Sequence, residues 1–441
     1  MSDNVPFEIQ IEIIKLLSVK SLVRCRSVSK SWKSLIDSSY FIANYHFSNA
    51  PVQHRLLVRY VDSKQKSNVE DEKYVSIVDD DDDDDSFPQN KIPIIAPSDV
   101  RLLGKFPDII GNSQGVICLC VLPPQFCFSD SKTFVLWNPT IRKSVPIVVP
   151  NVLSNTEFET FVGFGVCPRT SDPKLVKITH TSILNFKTKC IPSQVEVFNL
   201  SSGSWRSLSM NVPRQSIKLS WKQVCIDNFI YWLAIDITFE GQTMQKKNLI
   251  LSFDMTSEDF TEIDPPNNQA YLDGFLDISK VRTSLLVLES KYAELGNYCV
   301  WRMEHGIPNS FTKLFVINSP SESLRVHDFR KTGEPIIRMV DKNDEQSAVC
   351  VYNPESEEIS DIVVDVAKGV EDKTVGNISK WRAKNTHDTT DYWSSKQGSH
   401  FSEPNFKSLR ECSGIYGIFQ VASNQIKVTL NLFSDVLLIF L

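Results

Sequence analysis

The chain has 441 residues, of which 41% are hydrophobic and 23% charged, enough for one small and one large domain with a sizeable core. The formal net charge is −6, with 47 basic residues against 53 acidic, which argues against a surface built to bind nucleic acid. The 10 cysteines are scattered without a Cys-x-x-Cys pair, a pattern of free thiols in a reducing compartment rather than a disulfide framework.

The opening MSDNVPFE lacks the basic stretch and apolar run of a secretory signal. Asp3 or Asn4 can cap a first helix, with Pro6 in its first turn and Glu8 favourable to the helix dipole. Ile9, Ile13, Leu16 and Leu17 fall at i, i+4, i+7 and i+8, and Ile11 and Ile14 widen the apolar surface. This helix is therefore expected to bury two sides, one in its own domain and one against something else. Ser18 and Ser21 break and recap the chain, and Leu22, Val23 and Cys25 form a second, very short helix. Ser29 caps a third, in which Trp32, Leu35 and Ile36 share a face. So small a helical unit buries too little surface to stand alone and needs a partner or the rest of the chain.

The segment VPFEIQIEIIKLLSVKSLVRCRSVSKSWKSLIDSSYFI resembles an F-box of the plant type, above all from Val19 to Trp32. The resemblance implies binding to a Skp-type adaptor, which joins the chain to a cullin and a RING protein. Carried over by position, the adaptor-facing residues are Pro6, Ile9, Ile13, Leu17, Val19, Leu22, Val28 and Trp32. Two positions depart from the family pattern: Val5 stands where leucine is usual, and Ser18 where proline is usual. Valine for leucine removes a methylene, worth about 0.8 kcal/mol of burial. On periodicity alone, the same residues are the core of a helical cap.

From residue 55 onward, short runs rich in Val, Ile, Phe and Trp alternate with turn residues, which reads as β-structure. After the strand candidate KYVSIV comes an unbroken run from Asp79 to Asp85, which repels itself and is expected to be a solvated, disordered loop over 79–90. It lacks the glycine and distal glutamate of a calcium loop. An internal repeat follows: FVLWNPTIRKSVPI, QVEVFNLSSGSWRSLS, NLILSFDMTSEDFTEI and AVCVYNPESEEISDIVV, with a looser copy around Trp301. Each reads as a hairpin whose first strand ends in an aromatic residue, with Asn138, Asn199, Asp254 or Asn353 capping the turn. Two further strand candidates precede each hairpin, giving about four strands per period, the size of a propeller blade. The stretches GNSQGVICL, FVLWNPTIRK, FVGFGVCP and VEVFNLSSGSW resemble the F-box-associated interaction domain, which is related to kelch-type propellers. The blades lack the Gly-Gly pair of kelch repeats, so six blades, fewer, or an open ring all remain open, as does an irregular β-sandwich.

After about residue 370 the repeat stops, and the closing IYGIFQVASNQIKVTLNLFSDVLLIFL has the pattern of two strands. Its last apolar run is far shorter than the roughly 20 residues a membrane helix needs, so no membrane is expected. The 7 histidines lie singly, and no nucleotide, metal or nucleophile motif is present. Neither cofactor nor metal is expected, and no catalytic residue.

The expected fold class is α+β multidomain: a three-helix F-box over 1–48, a mostly β propeller-like domain over 55–370 and an atypical tail over 371–441. The resemblance implies the substrate-recognition subunit of a Skp–cullin–F-box ubiquitin ligase, located in the cytoplasm or nucleus. The alternatives are an F-box scaffold or inhibitor outside any ligase, a degenerate family copy, and a β-propeller enzyme. Trp221, Tyr231, Trp232, Tyr271 and Trp301 are the aromatic candidates for target contact, each set against a place in the core.

Overall fold

The computed structural model describes residues 5–45, 54–61, 72–79, 91–104, 107–121, 127–154, 158–181, 193–209, 212–240, 243–266, 274–291, 297–304, 309–318, 324–340, 347–362 and 436–440. The chain parts into two compact units, Met1–Ile362 with Leu437–Leu441, and Val363–Val436. The N-terminal helices and the β-domain thus share the first unit, and all but Val436 of the second lies outside the described residues.

Four helices open the chain: α1 (Phe7–Lys15), α2 (Val19–Val28), α3 (Lys30–Ile36) and α4 (Ser39–Asn44). The sequence reading gave three, with the second very short. Serines at 18, 29 and 38 explain the punctuation, each Oγ accepting the amide N–H three residues on, from Ser21, Trp32 and Phe41. Pro6 occupies the N-cap of α1, the position expected for Asp3 or Asn4, which lie outside the described residues. Ile14, Leu22, Leu35, Ile36, Phe41 and Tyr45 form the core of this unit, with the Phe41 and Tyr45 rings stacked 5.5 Å apart. The Tyr45 hydroxyl donates to the Leu17 carbonyl, tying the end of α4 back to the end of α1.

The remaining strands make six four-stranded blades. Blade 2 is β4 (Asp108–Ser113), β5 (Val116–Cys120), β6 (Cys127–Asn138) and β7 (Lys143–Ser154). Blade 3 is β8 (Phe158–Cys167), β9 (Asp172–Thr181), β10 (Gln194–Asn199) and β11 (Ser204–Ser207). A single pairing, Ser154 with Glu159, joins blades 2 and 3 into an eight-stranded sheet. Blade 4 is β12 (Ile217–Ile226), β13 (Phe229–Glu240), β14 (Thr243–Asp254) and β15 (Phe260–Ile263); blade 5 is β16 (Gly274–Val281), β17 (Ser284–Lys291), β18 (Tyr298–Met303) and β19 (Phe311–Ile317). Blade 6 is β20 (Arg325–Phe329), β21 (Pro335–Val340), β22 (Ser347–Tyr352) and β23 (Ile359–Asp361).

Blade 1 takes strands from both ends of the chain, in the order β24 (Val436–Phe440), β1 (His54–Val61), β2 (Glu72–Asp79) and β3 (Lys91–Ile94). The last apolar run of the tail thus pairs with the first strand of the β-domain, an arrangement that closes a propeller ring. Asp79 departs from the sequence reading. It is the final residue of β2 and fully buried, accepting from Arg330 Nε at 2.8 Å and from the Lys331 amide at 2.8 Å. The rest of the aspartate run lies outside the described residues.

Alternate residues of each strand feed opposite blade interfaces, because both faces of a blade are covered. In β5, Cys118 and Cys120 pack with blade 3, while Ile117 and Leu119 pack with Leu57 and Tyr74 of blade 1. This is why the strand reads as an unbroken apolar run. Gly163 brings β8 against β13, since a Cβ there would lie 2.1 Å from the Trp232 ring. Gly111 likewise admits Gln223 at the centre of the ring.

Candidate functional site

The first helix carries apolar residues on two sides. Ile14 is buried, with Ile11 and Leu17 packed against the same core. On the other side Ile9 and Ile13 are about half exposed, at 52% and 51%, and Leu16 and Phe7 are also exposed. Residues 9, 13 and 16 stand at i, i+4 and i+7, one stripe along the helix. Val23 and Val28 of α2 add exposed apolar groups. Among the described residues no apolar group covers this stripe, which is large for so short a helix.

Of the eight residues expected to face an adaptor, Pro6, Ile9, Ile13 and Val28 are exposed. Leu17, Val19 and Trp32 are half-buried against the helical core, and the Trp32 indole donates to Gln10 Oε1 at 3.0 Å. Leu22 is a correction: at 2% exposure it is a core residue and offers no surface. Phe7, Leu16 and Val23 are exposed apolar residues beside that set. Leu16 had a signal, its i+7 spacing from Ile9; Phe7 and Val23 had none beyond being apolar.

This surface is mounted on the propeller at a defined place. Asn138 ends β6 and is buried, and its side-chain Nδ2 donates to the carbonyls of Ile42 at 3.0 Å and Tyr45 at 2.8 Å. Its Oδ1 accepts from the amides of Thr140 and Ile141, closing the β6–β7 turn. Ile42 and Ala43 insert into the core between blades 2 and 3, and Ile141 packs against both that core and the helical one. Asp37 completes the mount, accepting from Arg26 Nε at 2.8 Å and pairing with Lys143 Nζ. The Arg26 hydrogen bonds, with help from Lys143 and against partial desolvation, hold the Asp37 carboxyl at a pKa of about 2.

The other repeat anchors do similar local work. Asp254 Oδ1 accepts from the amides of Thr256 and Ser257, and Asn353 Oδ1 from those of Glu355 and Ser356. At Asn199 the role passes to Asp172, which accepts from Asn199 Nδ2, the Ser201 amide and the Ser201 hydroxyl. The copy near Trp301 is displaced: β18 runs on to Met303, and the Trp301 indole donates to Glu289.

At two groups away from this mount burial is the dominant cause. Desolvation pushes the Cys120 thiol up to about 12 and lowers His327 to about 3. Among the described residues no group of three His, Cys, Asp or Glu side chains could hold a metal ion, and no helix is long and apolar enough to cross a membrane. Of the aromatic candidates, Tyr231 and Trp232 are core, Trp221 is 40% exposed, and Tyr271 lies outside the described residues.

Two family models match the chain. The F-box domain family matches residues 2–44, and the F-box associated β-propeller domain family matches residues 114–392. An F-box protein of Arabidopsis thaliana is 25% identical over 340 residues, covering 74% of this chain and 76% of its own length. Another from the same plant is 27% identical over 284 residues, covering 62% of this chain and 63% of its own length. This chain thus spans less than two thirds of the length of some of these relatives. Among solved structures, the β-propeller domain of a trilobed protease from Pyrococcus furiosus is 13% identical, over 61% of this chain and 72% of that one, with a TM-score of 0.32. A likeness that slight carries no functional weight. The helical unit, the blade repeat and both family matches lead to one statement: the chain belongs to the family of F-box proteins that carry an F-box associated β-propeller domain.

Proposed function

We propose that this protein is a non-catalytic substrate receptor of a Skp–cullin–F-box ubiquitin ligase. The observation that carries the reading is the outward stripe of Ile9, Ile13 and Leu16 on a helix whose other side already fills its own core. An adaptor supplies the missing partner, and through it the cullin and the RING protein. The mount at Asn138 and Asp37 fixes the adaptor side relative to the blades. A held target then sees a high effective concentration of the charged ubiquitin carrier, which is the whole of the rate gain required. A reducing compartment, cytoplasm or nucleus, accords with the free thiols.

The test is a pull-down of the chain with a plant Skp-type adaptor beside an Ile9→Asp, Ile13→Asp variant. Both positions are half exposed, so the variant keeps its fold, and burying two unpaired carboxylates in an interface weakens binding by at least about a hundredfold. A folded wild type that does not bind the adaptor sinks the ligase reading and favours a scaffold outside the cullin system.

A further inference from the structure

A cavity of about 150 Å³ opens at the end of the propeller that carries the first-to-second-strand turns, among the β4–β5 turn, the β16–β17 turn and the segment after β20. It is well above the roughly 10–15 Å³ that a single water needs on the same measure. Four basic side chains line it, Lys280, Arg282, Arg330 and Lys331, and among the described lining residues there is no carboxylate. Arg330 is engaged by Asp79 and Glu334 behind the wall. Lys280 and Arg282 are held differently. Lys280 Nζ donates to Asn112 Oδ1 at 2.7 Å and to the carbonyls of Cys225 and Asn112 at 3.2 and 3.4 Å, all neutral oxygens. Arg282 Nε donates to the Lys331 carbonyl at 3.1 Å, also neutral, and its side chain stands at the rim.

Neutral acceptors position these two cations without cancelling their charge. An ammonium drawn partly out of water is costly unless a counter-charge meets it, and desolvation already disfavours the charged form of Lys280, with Cys225, Asp328 and Asp227 supporting it through space. An anion entering the cavity would meet a lysine at its floor and a guanidinium at its rim, a pairing suited to a compact tetrahedral oxyanion: lysine as a point charge, arginine as a two-pronged donor.

We propose that this cavity is a binding site for a phosphate group, held by Lys280 and Arg282. The phosphate comes either from a free phosphorylated small molecule or from a phosphorylated side chain of the target. The site is independent of adaptor binding, so the failure of one reading leaves the other standing.

The experiment is calorimetric titration of the full 441-residue chain with inorganic phosphate, glycerol phosphate and an Ala-phosphoserine-Ala peptide, with sodium chloride at matched ionic strength as the reference. Phosphate is expected to bind the wild type, and Lys280→Gln to weaken it by about tenfold or more. Because Lys280 is half-buried and holds three neutral acceptors, so that its variant can misfold, Arg282→Gln at the rim is the second probe, with a loss of about threefold to tenfold in a chain that melts like the wild type. Binding of the peptide more tightly than inorganic phosphate assigns the site to a phosphorylated target. Binding of glycerol phosphate and phosphate with no gain from the peptide assigns it to a small molecule. Absence of any heat beyond the chloride reference, or equal affinity in wild type and Arg282→Gln, overturns the proposal.

Discussion

Asn138 donates both protons of its side-chain amide to the end of α4, one to the carbonyl of Ile42 and one to that of Tyr45, while its oxygen closes its own β-turn. One residue thus caps a helix in the F-box and a hairpin in the second blade. The same asparagine that marks the repeat in sequence is also the joint between the two domains.

Replacing Asn138 with alanine leaves two buried helix-end carbonyls without donors and costs about 2–4 kcal/mol. Asn138→Asp separates the two roles. The carboxylate still accepts from Thr140 and Ile141 but faces Ile42 and Tyr45 with negative charge, so it destabilises at least as much as alanine. Urea denaturation of both variants, with limited proteolysis between residues 45 and 54, measures this. Wild-type stability in Asn138→Asp would mean that the turn, not the joint, is what matters.

Asp37 gives the joint a pH dependence. Its folded pKa of about 2 lies below the ordinary 3.8, so its contribution is full above about pH 4 and is lost as pH falls through the folded value. Asp37→Asn removes the partner of Arg26 and Lys143 at every pH. The stability gap between wild type and variant should therefore be constant from pH 7 to 5 and shrink between about pH 4 and 2. Urea midpoints across that range follow the gap, and comparing two proteins that differ only here cancels the titration of other carboxylates. A gap that stays constant down to pH 2 would count against the joint carrying this charge.

The third-to-fourth-strand hairpins hide a second repeat, in backbone conformation. Four residues after each anchor the chain turns left-handed: Arg142 at φ 56°, Gly203 at 64°, Glu258 at 65° and Glu357 at 57°. Glycine fits such a position without cost, whereas other residues pay about 1–2 kcal/mol. Arg142 is exposed, so Arg142→Gly should raise stability by about 0.5–1 kcal/mol once the greater freedom of glycine in the unfolded chain is subtracted. Glu258→Gly should do worse, because Glu258 also pairs with Lys174 at 2.8 Å and with Arg206. Thermal melts of the two variants side by side decide it.

These hairpins show what the sequence carries and what it withholds. An aromatic residue followed by Asn or Asp is a local signal, and it located four third-to-fourth-strand turns because strand ending and turn capping both act within a few residues. The left-handed position was visible only at Gly203, since arginine and glutamate do not announce a positive φ. In α1 an apolar residue falls on nearly every side, so periodicity alone could not separate the core set of Ile14 and Leu17 from the outward set of Ile9, Ile13 and Leu16. Leu22 was placed outward by the family resemblance rather than by periodicity, and its 2% exposure puts it in the core of the helical unit. The pairing of β24 with β1 joins segments some 380 residues apart, and no local pattern encodes a partner at that distance. Asp79 looked like the first of seven equivalent aspartates, but its counter-charge, Arg330, is on another blade.

That ion pair leads to the last prediction. Apolar clusters join blades 1 to 2, 2 to 3, 3 to 4, 4 to 5 and 5 to 6. Blades 6 and 1 are also joined by an ion pair: the Arg330 guanidinium on a fully buried Asp79 carboxylate, with the Lys331 amide on its other oxygen. Breaking a buried pair from one side strands the remaining charge and costs about 3–5 kcal/mol. Asp79→Ala should sit at the lower end, because Arg330 keeps Glu334 at 2.6 Å, whereas Arg330→Met leaves Asp79 buried with one amide and should cost more. Joint replacement, Asp79→Leu with Arg330→Met, should recover much of the loss, since an apolar pair needs no counter-charge. Urea denaturation of the three proteins gives the coupling directly. If the double variant is as unstable as the sum of the singles, the closing contact between the first and last blades does not depend on this pair.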